Sequence, residues 1–363
     1  MTEKKNVITA FGMSDIKDYD KLIKEFGVSP MTSLVRYMPD PIAVYRRGIV
    51  FAHRDFDMII DAMEKQIPFV VMTGIKPSNF FHFGSKIVVD QLAYLQKHGG
   101  KVVFAVADVE SLADNEMPLK EADAIARDNI MDCIALGLDP KKTEFYRQSE
   151  DLTVLRAAQV FASNVTNNML KAIYGLHELK IYNAALVQMG DILKPQLENG
   201  KVRTVVPVGF DQDPHIRLVR DIAKKHKLVP PAGTYNKFMG SLTGSAKMSK
   251  REPEGLIFLN ESAELACRKI KKKAFTGGRN TPEEQRQLGG QPDICKVYEL
   301  YKFGLIEDDK ELTELYKRCA GGKLMCGDCK NLACKKMTAF LNQHHKKRKQ
   351  AALSVNRILK TKA

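Results

Sequence analysis

Phe69-Val70-Val71-Met72-Thr73-Gly74-Ile75-Lys76-Pro77-Ser78-Asn79-Phe80-Phe81-His82-Phe83-Gly84-Ser85-Lys86 decides how the chain is read. It opens as a continuous apolar run ending in glycine, the pattern of a strand buried on both faces. A loop with Pro, Ser, Asn and Gly follows, and from Lys86 to Lys97 the residues Ile87, Val88, Leu92 and Leu95 recur at helical spacing. Strand, loop and helix come in that order. The run from Lys101 to Asp108 repeats the strand signal, Lys120 to Leu136 reads as helix, and Thr143 to Gln148 reads as a further short strand. This alternation predicts an α/β fold with a doubly wound, mostly parallel, Rossmann-like sheet covered by helices on both faces.

Upstream, residues 1–62 carry mixed charge, several prolines and no long periodic run, which predicts an extension of short helices packed on the sheet domain. Downstream, a helical insertion spans about 112–193, most of it the excursion from Leu152 to Leu193. The sheet resumes at Arg203–Gly209, and Asp213-Pro214 supplies an expected N-cap and first-turn proline for a helix through Lys225. Gly240 to Ala246 is small and loop-like, and from Glu261 onward the pattern is almost wholly helical. The expected organisation is an extension over 1–62, a Rossmann-like domain over 63–260, and an all-helical C-terminal domain over 261–363.

Composition narrows the partners. The chain has 363 residues, 44% of them apolar, enough for two packed domains. Lys and Arg number 57 against 43 Asp and Glu, a net charge of +14 that favours a polyanionic partner, nucleic acid first. No run reaches the ~18 apolar residues of a membrane span, and the polar start shows no apolar signal core, so a cytoplasmic protein with no membrane partner is expected. Seven cysteines, unevenly placed, point to reduced thiols or a metal site rather than a disulfide framework.

Two distant segments carry chemistry. In the first, His82 and Ser85 stand at a strand-to-helix turn where phosphates meet helix amides, and Gly84 leaves room for a close approach. In the second, Lys247-Met248-Ser249-Lys250 places two lysines three apart on a glycine-rich loop, within reach of a triphosphate. Neither is a Walker loop. Alone, each is most often a plain turn or a solvated surface. Together, one after the first strand of the sheet and one after its last, they resemble the two signatures of class I aminoacyl-tRNA synthetases. The segment Val206 to Arg217, with Asp211-Gln212-Asp213-Pro214 at its centre, is similar to tryptophanyl-tRNA synthetases, as are Ala274 to Arg279 and Glu283 to Gly290. Asp18 to Gly27 and Arg46 to Asp55 fit the archaeal and eukaryotic branch.

That resemblance implies a tryptophan–tRNA ligase, which joins tryptophan to ATP with Mg²⁺ and passes it to tRNA(Trp), in a homodimer. By family position His82, Ser85, Lys247 and Lys250 are catalytic. Gly74, Pro77, Ser78, His82, Gly84, Gly209, Asp211, Met248 and Ser249 hold ATP, and Met72, Glu110, Gln188, Asp191 and Gln212 hold tryptophan. Asp191 suits an indole N–H and equally a phenol, so a tyrosine–tRNA ligase stays open; read on its own, Asp191 is a helix-surface carboxylate near Lys194. Ser85 stands where the first signature ends in histidine, Arg251 replaces the closing serine of the second, and Met72 and Ala105 leave the pocket without a phenol. These departures keep a catalytically silent RNA-binding paralogue open as well.

Cys295, Cys319, Cys326 and Cys329 have metal-ligand spacing, for zinc or for iron and sulfur. The pattern is similar to the [4Fe–4S] site of some tryptophanyl-tRNA synthetases; the plainer reading leaves Cys295 and Cys319 as core thiols. The cationic runs Arg268–Lys273 and His344–Lys362 are expected phosphate contacts.

Overall fold

The computed structural model describes residues 8–9, 12–13, 19–245 and 252–359. Lys247, Met248, Ser249, Lys250 and Arg251 lie outside the described residues. Seven strands form one sheet: β1 (Ser29–Pro30), β2 (Val50–Arg54), β3 (Phe69–Ile75), β4 (Gly100–Val106), β5 (Thr143–Arg147), β6 (Arg203–Gly209) and β7 (Ala232–Asn236). Their order is β1-β2-β7-β6-β3-β4-β5. The five from β7 to β5 run parallel, and β2 and β1 close the edge antiparallel.

Successive residues of β3 and β4 serve opposite faces, which is why both strands read as unbroken apolar runs. Val70, Met72, Val103, Ala105 and Val206 pack on one side against Phe161, Tyr182, Met189 and Leu193. Phe69, Val71, Val102, Phe104 and Val205 pack on the other, in a core that continues through Phe83, Met239 and Leu256 to Cys329, Met337 and Leu341. The helices used below are α1 (Lys86–Lys97), α2 (Asp108–Asn115), α3 (Leu119–Ala135), α4 (Leu179–Asn199), α5 (Asp213–Lys225) and α6 (Cys326–Ile358). The 33-residue α6 packs on α3 and on the helix Ala263–Lys273.

Three local expectations change. The extension expected to be short helices also supplies β1 and β2, because Val50–Ala52 is fully buried against β7. β7 itself has no strand signature, since Ala, Gly and Asn are poor strand formers and only tertiary burial holds Ala232–Asn236 extended. Asp213 does not cap α5: the 3₁₀ turn Phe210–Gln212 runs straight into the helix, and the buried Asp213 carboxylate pairs with Arg54 Nε at 2.6 Å.

Candidate active site

After β3 the chain moves to β4 on one side; after β6 it moves to β7 on the other. The crevice at the carboxyl ends of β3 and β6 is therefore the topological switch point, where open α/β sheets bind ligands. A cavity of about 280 Å³ opens there. Met72, Thr73 and Gly74 line it from β3, Val206–Gly209 from β6, Gln212 and His215 from the start of α5, Gln188 and Asp191 from α4, and Glu110 from α2. All five expected amino-acid residues share this cavity with Gly74 and Gly209. An adjoining cavity of about 270 Å³ shares Glu110, Gln188 and Gln212 and adds Asp211. A side chain at Gly209 would bring its Cβ within 2.8 Å of Asp211 Oδ1, so only glycine leaves that carboxylate its place.

The first signature enters α1 through the 3₁₀ turn Phe83–Ser85, where the His82 amide donates to Ser85 Oγ at 3.4 Å. Pro77 is buried and Ser78 half-buried just before it. The Phe83 amide donates to Ile257 O at 2.8 Å and the Leu259 amide to Phe81 O at 2.9 Å, so the segment following the second signature is stitched to the first. The flanks of that second loop are also tied, the Leu242 amide donating to Gly255 O at 2.9 Å.

Asp191, which lines the larger cavity, is 3% exposed and not on the surface. Lys194 pairs instead with Asp151 at 3.0 Å. Tyr146 Oη donates to Asp191 Oδ1 at 2.7 Å, and Gln148 Nε2 donates to Oδ2. Burial, partly offset by those two hydrogen bonds, pushes the Asp191 carboxyl up to about 7. The backbone at Gln148 is fixed in turn, since Asp108 accepts from the Ser149 amide at 3.0 Å and from its hydroxyl at 2.5 Å. His215 is bonded through Nδ1 to Tyr174 Oη, and burial pushes it down to about 3, keeping the ring neutral. Tyr146, Gln148 and His215 escaped the sequence reading; the available signal was the place of Gln148 just past the carboxyl end of a strand.

The four expected thiols lie in one neighbourhood of the fold, without forming a ligand set. Burial pushes the Cys329 thiol up to about 12, and Cys295, Cys319 and Cys326 all bear on it electrostatically. A Cβ at Gly278 would lie 2.6 Å from Cys326 Sγ, and one at Gly290 would lie 2.8 Å from Cys319 Sγ, so two glycines cradle the thiols. Among the described residues, no group of three or more His, Cys, Asp or Glu could hold a metal ion, so the expected ligand set Cys295, Cys319, Cys326 and Cys329 is not assembled.

The cationic runs divide. Lys269 is buried and pairs with Glu261 at 2.6 Å, and His344 and Arg348 turn inward onto Asp132. Lys271, Lys272, Lys273, Lys346, Lys347 and Lys349 stay exposed.

A family model described as tRNA synthetases class I (W and Y) matches residues 64–342. A tryptophan–tRNA ligase of Aeropyrum pernix is 44% identical over 94% of each chain, and one of Methanocaldococcus jannaschii is 40% identical over 98% of each. The crystal structure of the tryptophanyl-tRNA synthetase from Aeropyrum pernix superposes with a TM-score of 0.90 at 43% identity, covering 94% of this chain and 96% of that one.

Proposed function

The chain belongs to the class I tRNA synthetases of the tryptophan and tyrosine group, and from that premise we propose that it is a tryptophan–tRNA ligase. The carrying observation is the backbone pairing of Phe81–Phe83 with Ile257–Leu259 beside a cavity lined by Glu110, Gln188, Gln212 and the buried Asp191. Glu110 and the two glutamines hold the substrate ammonium and carboxylate. Asp211 accepts from the ribose hydroxyls of ATP, which enters as its Mg²⁺ complex alongside Gly74, Pro77, Ser78, Gly84 and Gly209, with Met248 and Ser249 on the second loop. A carboxylate oxygen of tryptophan attacks the α-phosphorus, its bond forms as the bond to the β-phosphate bridge breaks, and pyrophosphate leaves. His82, Ser85, Lys247 and Lys250 neutralise the developing phosphate charge, and no general base is required. The 3′ end of tRNA(Trp) then takes the aminoacyl group.

The thiols of Cys295, Cys319, Cys326 and Cys329 would hold a [4Fe–4S] cluster, with zinc as the alternative. Such a cluster supplies a covalent cross-link within the helical half of the chain. The exposed lysines of α6 and of Ala263–Lys273 suit tRNA phosphates. No helix of the described residues is long and apolar enough to cross a membrane; a cytoplasmic homodimer is part of the same reading.

Amino-acid-dependent ATP–pyrophosphate exchange with Mg²⁺, run with tryptophan and tyrosine side by side, tests the proposal. Exchange with tryptophan alone supports it. Exchange with tyrosine alone overturns the substrate, and exchange with neither, in protein that still binds tRNA, favours the silent paralogue.

A further inference from the structure

We propose that Arg54, from the N-terminal extension, is a positioning residue for ATP: by gripping Asp213 it fixes the turn that presents Asp211 to the ribose hydroxyls. The inference rests on the ribose role given to Asp211 above and names what holds that carboxylate in place.

Asp211 and Gln212 belong to the 3₁₀ turn Phe210–Gln212, which runs straight into α5 at Asp213. Residues three apart eclipse in a 3₁₀ helix, so Phe210 and Asp213 share one face of the turn while Asp211 and Gln212 are turned away from it. Neighbours behind the turn take up both outer residues. The fully buried Phe210 ring meets Phe26 at 5.1 Å, Phe51 at 5.4 Å and Tyr235 at 5.6 Å, each edge-on. Asp213, also fully buried, accepts from Arg54 Nε at 2.6 Å through Oδ1 and from an Arg54 terminal nitrogen at 2.9 Å through Oδ2. The two inner residues line the smaller cavity beside Glu110 and Gln188.

A guanidinium fork on a carboxylate sets orientation as well as distance. The other donors of Arg54 go to Phe26 O at 2.6 Å and Gly27 O at 3.1 Å, at the end of the helix Tyr19–Phe26. One side chain therefore joins β2, that helix and the start of α5. Arg217 also reaches Asp213, at 3.3 Å, but from the next turn of α5 and half-exposed. It balances the charge of Asp213 without tethering the turn to anything behind it. Hydrogen bonds weaken steeply with misplacement, so loss of the tether costs the ribose contact before it costs the fold.

The test is exchange of pyrophosphate with ATP, 2′-deoxy-ATP and 3′-deoxy-ATP in the presence of tryptophan, using the full chain as wild type and as Arg54→Gln, Arg54→Lys, Asp55→Asn and Asp211→Asn. A charge-assisted hydrogen bond to a ribose hydroxyl should give the wild type a ~10-fold or greater preference in kcat/KM for ATP over the more poorly used deoxy analogue. Arg54→Gln should bring that preference to within a few-fold of unity, by raising KM for ATP with the analogue little changed. Arg54→Lys keeps the charge, loses the fork and should fall between. Asp55→Asn removes the neighbouring ion pair with Arg220 and should leave the preference as it was.

An arginine that served the fold alone would lower the three nucleotides alike, so an Arg54→Gln enzyme with the wild-type preference overturns the inference. If Arg54→Gln fails to fold, Arg54→Lys decides, and an unchanged preference there overturns it. A preference absent from the wild type, or kept by Asp211→Asn, overturns the ribose role of Asp211 itself, and this inference falls with it.

Discussion

Arg348, on the long C-terminal helix, donates to Asp128 Oδ1 at 2.5 Å and also to Asp132, both on α3 of the nucleotide-binding half. His344, one turn earlier, bonds the same Asp132 carboxylate at 2.7 Å. From α3, Asn129 donates to the backbone oxygen of Asn79 at 3.2 Å, inside the first signature loop. One helix thus touches the signature loop and the basic helix at once. Part of the cationic character of α6 is spent on this internal contact, and its acids come from a helix over two hundred residues away in sequence.

Arg348→Met should therefore act on stability before it acts on RNA. Asp132 is fully buried, and removing its guanidinium partner leaves that carboxylate only the His344 ring, at a cost of about 1–3 kcal/mol. Lys349 is exposed, and Lys349→Met should stay within about 0.5 kcal/mol of wild type. Urea unfolding of the two variants checks the order, and equal midpoints would contradict it.

The raised Asp191 carboxyl has a signed consequence for pH. Its folded value of about 7 lies above the ordinary carboxylate range, so between roughly pH 4 and 7 the folded protein keeps a proton that the unfolded chain has lost. This group's contribution to stability falls as pH rises across that window. On the proposed role of Asp191 substrate binding runs the other way, because its ionised form is the stronger acceptor for the indole N–H: KM for tryptophan should be lowest above pH 7 and climb below it, with kcat moving less. His215, pushed down to about 3, stays neutral throughout. Asp191→Asn should flatten both profiles, measured by exchange kinetics and by thermal unfolding across pH 5–8.

How much of this was legible in the chain depends on where each signal sits. Strands β3, β4 and β6 are buried on both faces, so their apolar runs announce them, and α1 and α5 show a clear helical period. Of the five residues expected to hold tryptophan, Met72 alone lies on one of those elements; Gln212 stands just before α5, Glu110 on α2, and Gln188 and Asp191 on α4, so the family resemblance and not a local period pointed to them. β7 was not legible, since Ala232–Asn236 owes its extended shape to neighbours on both sides. Gln148 was hidden for a related reason: its meaning comes from Asp191, 43 residues later on a helix of another layer. No local period reports such a pairing. The inward turn of Arg348 was equally invisible, because its acidic partners belong to α3.

In the proposed reaction Lys250 acts on the phosphates of ATP. Lys250→Ala should lower adenylate formation by ~10²-fold or more while tryptophan binding changes little, because the lysine meets charge that develops only as the phosphorus is attacked. Rapid-quench measurement of adenylate beside equilibrium binding of tryptophan separates the two. Equal losses in both would contradict a role confined to the transition state.

The thiol site can be tested without touching a thiol. If Cys295, Cys319, Cys326 and Cys329 hold a cluster, protein purified without oxygen should be brown, absorb near ~400 nm and contain iron and sulfide together. Gly278→Ala keeps every ligand but puts a methyl group 2.6 Å from the place of Cys326 Sγ, against a wall that also includes the Gln285 amide. It should cut iron content several-fold, whereas Gly327→Ala, with open space around its Cβ, should leave it unchanged. Zinc in place of iron would keep the site and overturn the cluster. Metal-free protein whose helical half unfolds at the same denaturant concentration with and without added iron and sulfide would return the four cysteines to the core.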